Sequence, residues 1–251
     1  MYIFFCIVWV YSSIFVIFAA DKTSTTMNKW IRRKRNSWGY GVQSPSDFYF
    51  VQHVLREKSP YYGYSEIEGL KEKHSAHLPF YSEGINKLLF RLANYTQAKS
   101  IIEVGAGLST YAMTLGRPSA RCIAITSSEP CQRAMHSLLK GHPQVEIRKG
   151  DEMEVFCNLI QELGTIGLLH VAHTDHYREV IDAALPHVTD QSLIIIEDIC
   201  SSKEKYDWWE ELQKSSQTGI TYDLGSIGLL FFNSSRHKNN YWINIRKINR
   251  T

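Results

Sequence analysis

The sequence predicts an α/β fold: a mostly parallel sheet with helices on both faces, ending in an antiparallel hairpin and preceded by a helical N-terminal segment. Three observations lead there. From Lys99 onward short apolar runs alternate with helical stretches, the pattern of strands joined by crossover helices. Near the end, two apolar runs flank Leu224-Gly225-Ser226, a tight-turn signal that fits a hairpin. Before Lys99, apolar residues recur at helical spacing.

The elements follow in order. Tyr2 to Ala20 reads YIFFCIVWVYSSIFVIFAA, close to the roughly 20 residues that span a bilayer core. A cleaved signal peptide fits less well, because no basic stretch precedes the run. If the run spans, the basic cluster Lys29, Arg32, Arg33, Lys34 and Arg35 behind it puts the main domain in the cytoplasm. The alternative is a true start at Met27, with residues 1–26 a mis-called start rather than a membrane anchor. Residues 27–97 form the helical cap and 98–251 the main domain.

Within the cap, a helix begins near Asp47 after the capping stretch Ser44-Pro45-Ser46. A second covers Ser82 to Asn94, with Ile85, Leu88, Leu89 and Leu92 on one face. Strands are expected at Ser100–Val104, Cys122–Thr126, Val145–Arg148, Ile166–Ala172 and Ser192–Glu197. Helices follow the first two, over Ser109–Leu115 and Cys131–Leu139. Gly219–Asp223 and Ile227–Phe232 make the hairpin, and Tyr241–Ile245 adds one more strand.

Composition narrows the function classes. A 44% hydrophobic, 21% charged chain is an ordinary globular one, not a disordered one. The net charge of +3, with five basic residues gathered in one cluster, does not call for a nucleic-acid partner. Five cysteines without any C-x-x-C pair read as reduced thiols. No repeat supports a solenoid or a propeller.

The chemistry gathers at strand ends. Glu103-Val104-Gly105-Ala106-Gly107 places an acid and a Gly-x-Gly turn between a strand and a helix, where ligands of open α/β sheets bind. The glycines admit a close ligand, and the carboxylate accepts from an ammonium group. A Gly105→Val change is therefore expected to fill ligand space while leaving the fold intact. A dinucleotide fingerprint would need a third glycine where Thr110 stands, which disfavours an oxidoreductase. Gly150-Asp151 follows the third strand, where a carboxylate can accept from an exocyclic amine.

These motifs resemble the class I S-adenosylmethionine-dependent methyltransferases, most of all the small-molecule O-methyltransferase-like branch and a group of uncharacterised bacterial relatives. The resemblance runs from Trp38-Gly39-Tyr40-Gly41 through Glu103, Gly150-Asp151 and Ile194-Ile195-Ile196-Glu197-Asp198 to Asp223-Leu224-Gly225-Ser226. It implies a Rossmann-like fold and S-adenosyl-L-methionine as cofactor. By it, Glu103, Gly105, Ala106 and Gly107 hold the methionine end and Asp151 the adenine.

Two departures stand out. The family usually ends its second strand with an acid that grips the ribose, whereas this chain reads Thr126-Ser127-Ser128-Glu129; Ser127 or Glu129 must then serve. At the end of the fourth strand Ala172 stands where metal-dependent members carry a ligand acid, so no metal site is expected. The run behind it, His173-Thr174-Asp175-His176, supplies the candidate catalytic residues, since a histidine near neutral pKa accepts an acceptor's proton. One of Trp208 and Trp209 is expected on the sheet and the other at the pocket wall, and Tyr61-Tyr62-Gly63-Tyr64 is a candidate lid. The resulting expectation is methyl transfer to an oxygen or nitrogen of a small molecule. The alternative is a non-catalytic scaffold of the same fold with weak or no nucleoside binding.

Overall fold

The computed structural model describes residue 42 and residues 44–74 and 78–244. The readings of residues 1–26 and of the basic cluster behind them lie outside these residues. Among the described residues no helix is long and apolar enough to cross a membrane.

Eight strands form one sheet: β1 (Ser100–Val104), β2 (Arg121–Thr126), β3 (Val145–Lys149), β4 (Ile166–Val171), β5 (Val188–Ile196), β6 (Ile220–Asp223), β7 (Gly228–Phe231) and β8 (Asn239–Trp242). Their order across the sheet is β3-β2-β1-β4-β5-β7-β6-β8. The first five pair in parallel, β7 runs antiparallel to both β5 and β6, and β8 pairs parallel with β6. The expected hairpin is present, tightened by a bond from Leu224 N–H to the Ile227 carbonyl at 2.8 Å. β5 begins four residues before its expected start at Ser192. There the Ser192 hydroxyl accepts from Thr189 N–H and donates to the Ile166 carbonyl, so the polar stretch Thr189-Asp190-Gln191 bulges without leaving the sheet.

Among the described residues the helices are α1 (Pro45–Phe50), continued by a π-helical turn over Val51–Leu55, then α2 (Tyr64–Ile67), α3 (Leu70–His74), α4 (Glu83–Thr96), α5 (Leu108–Gly116), α6 (Glu129–Leu138), α7 (Glu152–Leu163), α8 (Tyr177–Ala184) and α9 (Lys203–Lys214). The side chains of Ser44, Ser82, Ser128 and Ser202 start α1, α4, α6 and α9 by accepting the backbone N–H of Asp47, Ile85, Cys131 and Lys205, and Asp151 starts α7 by accepting that of Glu154.

Strand alternation sends residues to two cores. Ile101, Leu168, Leu193 and Ile195 face α1 and α4, with Phe50, Leu55, Leu88 and Leu92. Ile102, Val104, Leu169, Ile194 and Ile196 face α7, α8 and α9, with Phe156, Leu159, Val180 and Trp209. Each such side chain contributes about 1.5–3 kcal/mol by burial, which holds the helices on both faces. Asp47, buried on α1, ties the N-terminal helices to the far end of the sheet: it accepts from Tyr222 Oη at 2.6 Å, from Tyr241 Oη at 3.0 Å and from Arg236. Trp209 packs on the sheet as expected and is fully buried; Trp208 instead stacks edge-on against Tyr177.

Candidate functional site

Parallel strands end their backbone ladders together, so the carboxyl ends of β1, β2 and β4 open one crevice. Here that crevice is a cavity of about 630 Å3. Its lining includes Gly105 and Ala106 behind β1, Thr126, Ser127 and Ser128 at the tip of β2, Cys131 and Pro130 from α6, Glu152 from α7, and His173 behind β4. Leu78, Pro79 and Phe80 cover it from the N-terminal side.

The glycine turn is built by close packing. Gly105 has φ +87, a region that L side chains avoid. A Cβ there would lie 2.3 Å from the Ala172 carbonyl oxygen. Gly105 is thus required by the adjoining β4 backbone, and the expectation that Gly105→Val acts only by filling ligand space is corrected: the added side chain collides with the sheet itself. The N–H groups of Gly105 and Ala106 both donate to the Ile125 carbonyl, at 3.1 and 3.0 Å, which pins the turn to β2. At Gly107 a Cβ would meet the Pro79 carbonyl at 2.7 Å, and that same carbonyl accepts from Leu108 N–H at 3.0 Å. The segment 78–80 is therefore laid directly on the turn.

Glu103 lies under the turn, not on the cavity wall. Its carboxylate is fully buried and accepts from the Ser109 and Thr110 hydroxyls at the start of α5. His170, level with Glu103 on β4, brings Nδ1 to within 2.8 Å of Glu103 Oε1 and Nε2 to within 3.1 Å of Glu197 Oε1. Burial opposes a charge on this ring, but the hydrogen bonds and charges of Glu103 and Glu197 outweigh it and raise the His170 pKa to about 9. Burial also raises the pKa of Glu197. The second oxygen of Glu197, Oε2, is buried without a partner. Glu103, His170 and Glu197 form one buried polar row across β1, β4 and β5. Sequence reasoning passed over His170, although its place one strand from Glu103 on the same face is a signal that strand pairing supplies.

The other candidates separate cleanly. His173 lines the cavity, at φ +23, with its ring stacked on Tyr81 at 4.4 Å between centroids. Although its surface is exposed, desolvation by the protein around it lowers its pKa, an effect the Glu103 charge partly offsets. Asp175 and His176 are exposed and stand off the cavity lining, His176 at the start of α8. Ser127 is at the wall, 3.3 Å from Glu152 Oε1. Glu129 turns away to Lys149 and Arg133; its bond to Lys149 first, then the lysine's charge, lowers its pKa. Asp151 caps α7, its Oδ1 accepting from Glu154 N–H at 2.9 Å, and Gly150 donates its N–H to the Thr126 carbonyl at 3.2 Å. Tyr61, Tyr62 and Tyr64 pack around Phe90 of α4, so this cluster is no lid; the cover is 78–80. Trp208 does not reach the cavity lining either.

No family model matches the chain, and no curated protein matches it. Solved structures do. An O-methyltransferase from Bacillus cereus in complex with S-adenosylhomocysteine superposes with a TM-score of 0.54 at 16% identity, over 76% of this chain and 99% of that one. The O-methyltransferase TomG from Streptomyces achromogenes, in complex with S-adenosylmethionine, gives 0.54 at 18%, over 77% and 98%. A putative caffeoyl-CoA O-methyltransferase from Staphylococcus aureus gives 0.57 at 17%, over 75% and 100%. The chain has the Rossmann-like fold of S-adenosylmethionine-dependent O-methyltransferases, with the sheet order and antiparallel end described above.

Proposed function

We propose that the chain is an S-adenosyl-L-methionine-dependent methyltransferase acting on an oxygen or nitrogen of a small molecule. The observation that carries this is the cavity: about 630 Å3, at the carboxyl ends of β1, β2 and β4, bounded by the glycine turn and the tip of β2. Its volume lies within the roughly 300–1,000 Å3 of small-molecule sites. Its wall is mixed, with Leu78, Pro79, Phe80 and Pro130 to cover a purine and a thioether chain, and Ser127 and Glu152 to meet hydroxyls. Those residues suit a nucleoside carrying an amino-acid arm. Bound there, the group would supply a methyl carbon on a positive sulfur.

The chain's residues then divide the work. Gly105 and Ala106, on the cavity lining, would hold the methionine arm. Glu103 serves from beneath, holding β1, α5 and β4 in place through Ser109, Thr110 and His170. His173, on the cavity lining, would take the acceptor's proton. His176, Asp175, Glu129, Gly150 and Asp151 do not line that chamber; Asp151 caps α7, whose first residue, Glu152, does.

A second reading is a scaffold that keeps the fold without catalysis. It draws on Glu103, whose carboxylate is spent on internal bonds and buried. Calorimetric titration with S-adenosylmethionine, S-adenosylhomocysteine and NAD separates the readings. Tight binding of the first two supports the enzyme, NAD alone overturns it, and silence from all three leaves the scaffold.

A further inference from the structure

A ribonucleoside offers a protein one handle that no base edge supplies: two neighbouring hydroxyls on one face of the sugar. A carboxylate is matched to that handle, because its two oxygens accept from both hydroxyls and its charge strengthens each bond. Three carboxylates stand near the tips of β2 and β3, and their surroundings distinguish them. Glu129 gives its oxygens to Lys149 and Arg133 on the outer surface. Asp151 spends Oδ1 on the Glu154 N–H at the start of α7. Glu152 alone of the three lines the cavity.

Strand register explains its position. β2 and β3 are adjacent and parallel, with Thr126 level with Lys149, so Ser127 is level with Gly150 and the first residue of α7 lies just past it. Glu152 therefore reaches back toward the tip of β2, where the Ser127 hydroxyl donates to its Oε1 at 3.3 Å. The tip of β2 itself ends in Ser127-Ser128, with no acid on the cavity side.

We infer that Glu152, with Ser127 beside it, holds the ribose hydroxyls of the methyl donor, so that the sugar is gripped from the start of α7 instead of from the tip of β2. The inference rests on the methyl-donor reading of the cavity. Ser127 stays within reach of the same hydroxyls as a second partner once its own bond to Glu152 is exchanged.

The test is calorimetric titration of the full chain and its variants with S-adenosylhomocysteine and with its 2′-deoxy counterpart. The unaltered chain is expected to bind the deoxy compound about 10- to 100-fold more weakly, the loss of one charge-assisted bond. Glu152→Ala should weaken S-adenosylhomocysteine by more than this factor, since both ribose bonds go, and the deoxy compound by about this factor, since it loses only the 3′-hydroxyl bond, so that the ratio between them collapses toward one. Glu152→Gln, which keeps the size and the helix start, should fall between. Glu129→Gln should leave the ratio intact. If the unaltered chain binds no S-adenosylhomocysteine, the donor reading and this assignment fall together. If it binds and the ratio survives in both Glu152 variants, with unchanged thermal melts, only the assignment is overturned.

Discussion

The glycine turn yields a stability experiment with an internal control. Gly105 and Gly141 both have positive φ, +87 and +100, so Ala at either meets the same backbone penalty of about 1–2 kcal/mol. They differ in what surrounds them. A Cβ on Gly141 finds nothing within 4 Å, whereas on Gly105 it lies 2.3 Å from the Ala172 oxygen and 2.8 Å from its carbonyl carbon. Relief requires moving backbone by about 1 Å, and both sides are fixed: Ala172 N–H bonds the Val104 carbonyl at 2.9 Å, and Gly105 N–H bonds Ile125. Overpacking of this kind adds about 1–3 kcal/mol. Gly105→Ala should therefore cost about 2–5 kcal/mol and Gly141→Ala about 1–2. In a thermal melt followed by circular dichroism these become drops of roughly 4–20 °C and 2–8 °C, at about 2–4 °C per kcal/mol. Equal drops for the two variants would refute the argument that β4 backbone, and not ligand, demands glycine at 105.

Three further outcomes follow from the same geometry. The His170 pKa stands at about 9 against an ordinary 6.5, so its contribution of roughly 3 kcal/mol is fully present below pH 6.5 and lost as pH climbs through 9. The raised Glu197 pKa acts in the same direction above pH 4.5, so urea midpoints should fall from pH 6 to pH 9.5; a flat profile counts against the buried row. Asp47→Ala strands the hydroxyls of Tyr222 and Tyr241 and the Arg236 guanidinium, and should cost about 2–4 kcal/mol in denaturant titration, with a neutral result showing that α1 does not depend on the tie. If a methyl acceptor is found, His173→Asn should lower turnover about 100-fold or more without weakening S-adenosylhomocysteine, while His176→Asn leaves turnover unchanged; the reverse pattern would move the base to His176.

The sheet was legible because each strand of the parallel half is a short apolar run ended by a turn, and because Leu224-Gly225-Ser226 marks the reversal. Expected ends fall within a residue or so of β1, β2, β3 and β4. β5 differs because the Ser192 hydroxyl keeps a polar bulge in the sheet, and no apolar pattern announces a bonded hydroxyl. The site was legible only as a place. Ser127, Gly105, Ala106 and His173 sit on the cavity, while Glu129, Asp175 and His176 do not. What decided between neighbours such as Glu129 and Glu152 was the outward pull of Lys149, a cation on the next strand whose proximity requires the β2–β3 register. The cover was missed for a related reason. Leu78-Pro79-Phe80 has no periodic signature, and its role rests on one carbonyl, that of Pro79, lying against Gly107 across the fold.

Glu103 carries the broader point about reading such turns. An acid followed by Gly-x-Gly can be a ligand's partner or a scaffold's fastener, and the spacing is the same for both. The partners decide. A carboxylate awaiting an ammonium keeps an oxygen open to the cavity; this one is buried among Ser109, Thr110 and His170. Removing it would strand a buried imidazolium and two hydroxyls at the junction of β1, α5 and β4, a cost of about 3–5 kcal/mol. A near-isosteric exchange that removes the charge, Glu103→Gln, accordingly separates the roles. If Glu103 fastens the scaffold, the variant loses stability first, and S-adenosylhomocysteine affinity falls only in step with the folded fraction. If it grips the ligand, affinity falls about tenfold or more in protein that is still fully folded, and the assignment of Glu103 to the underside of the turn fails.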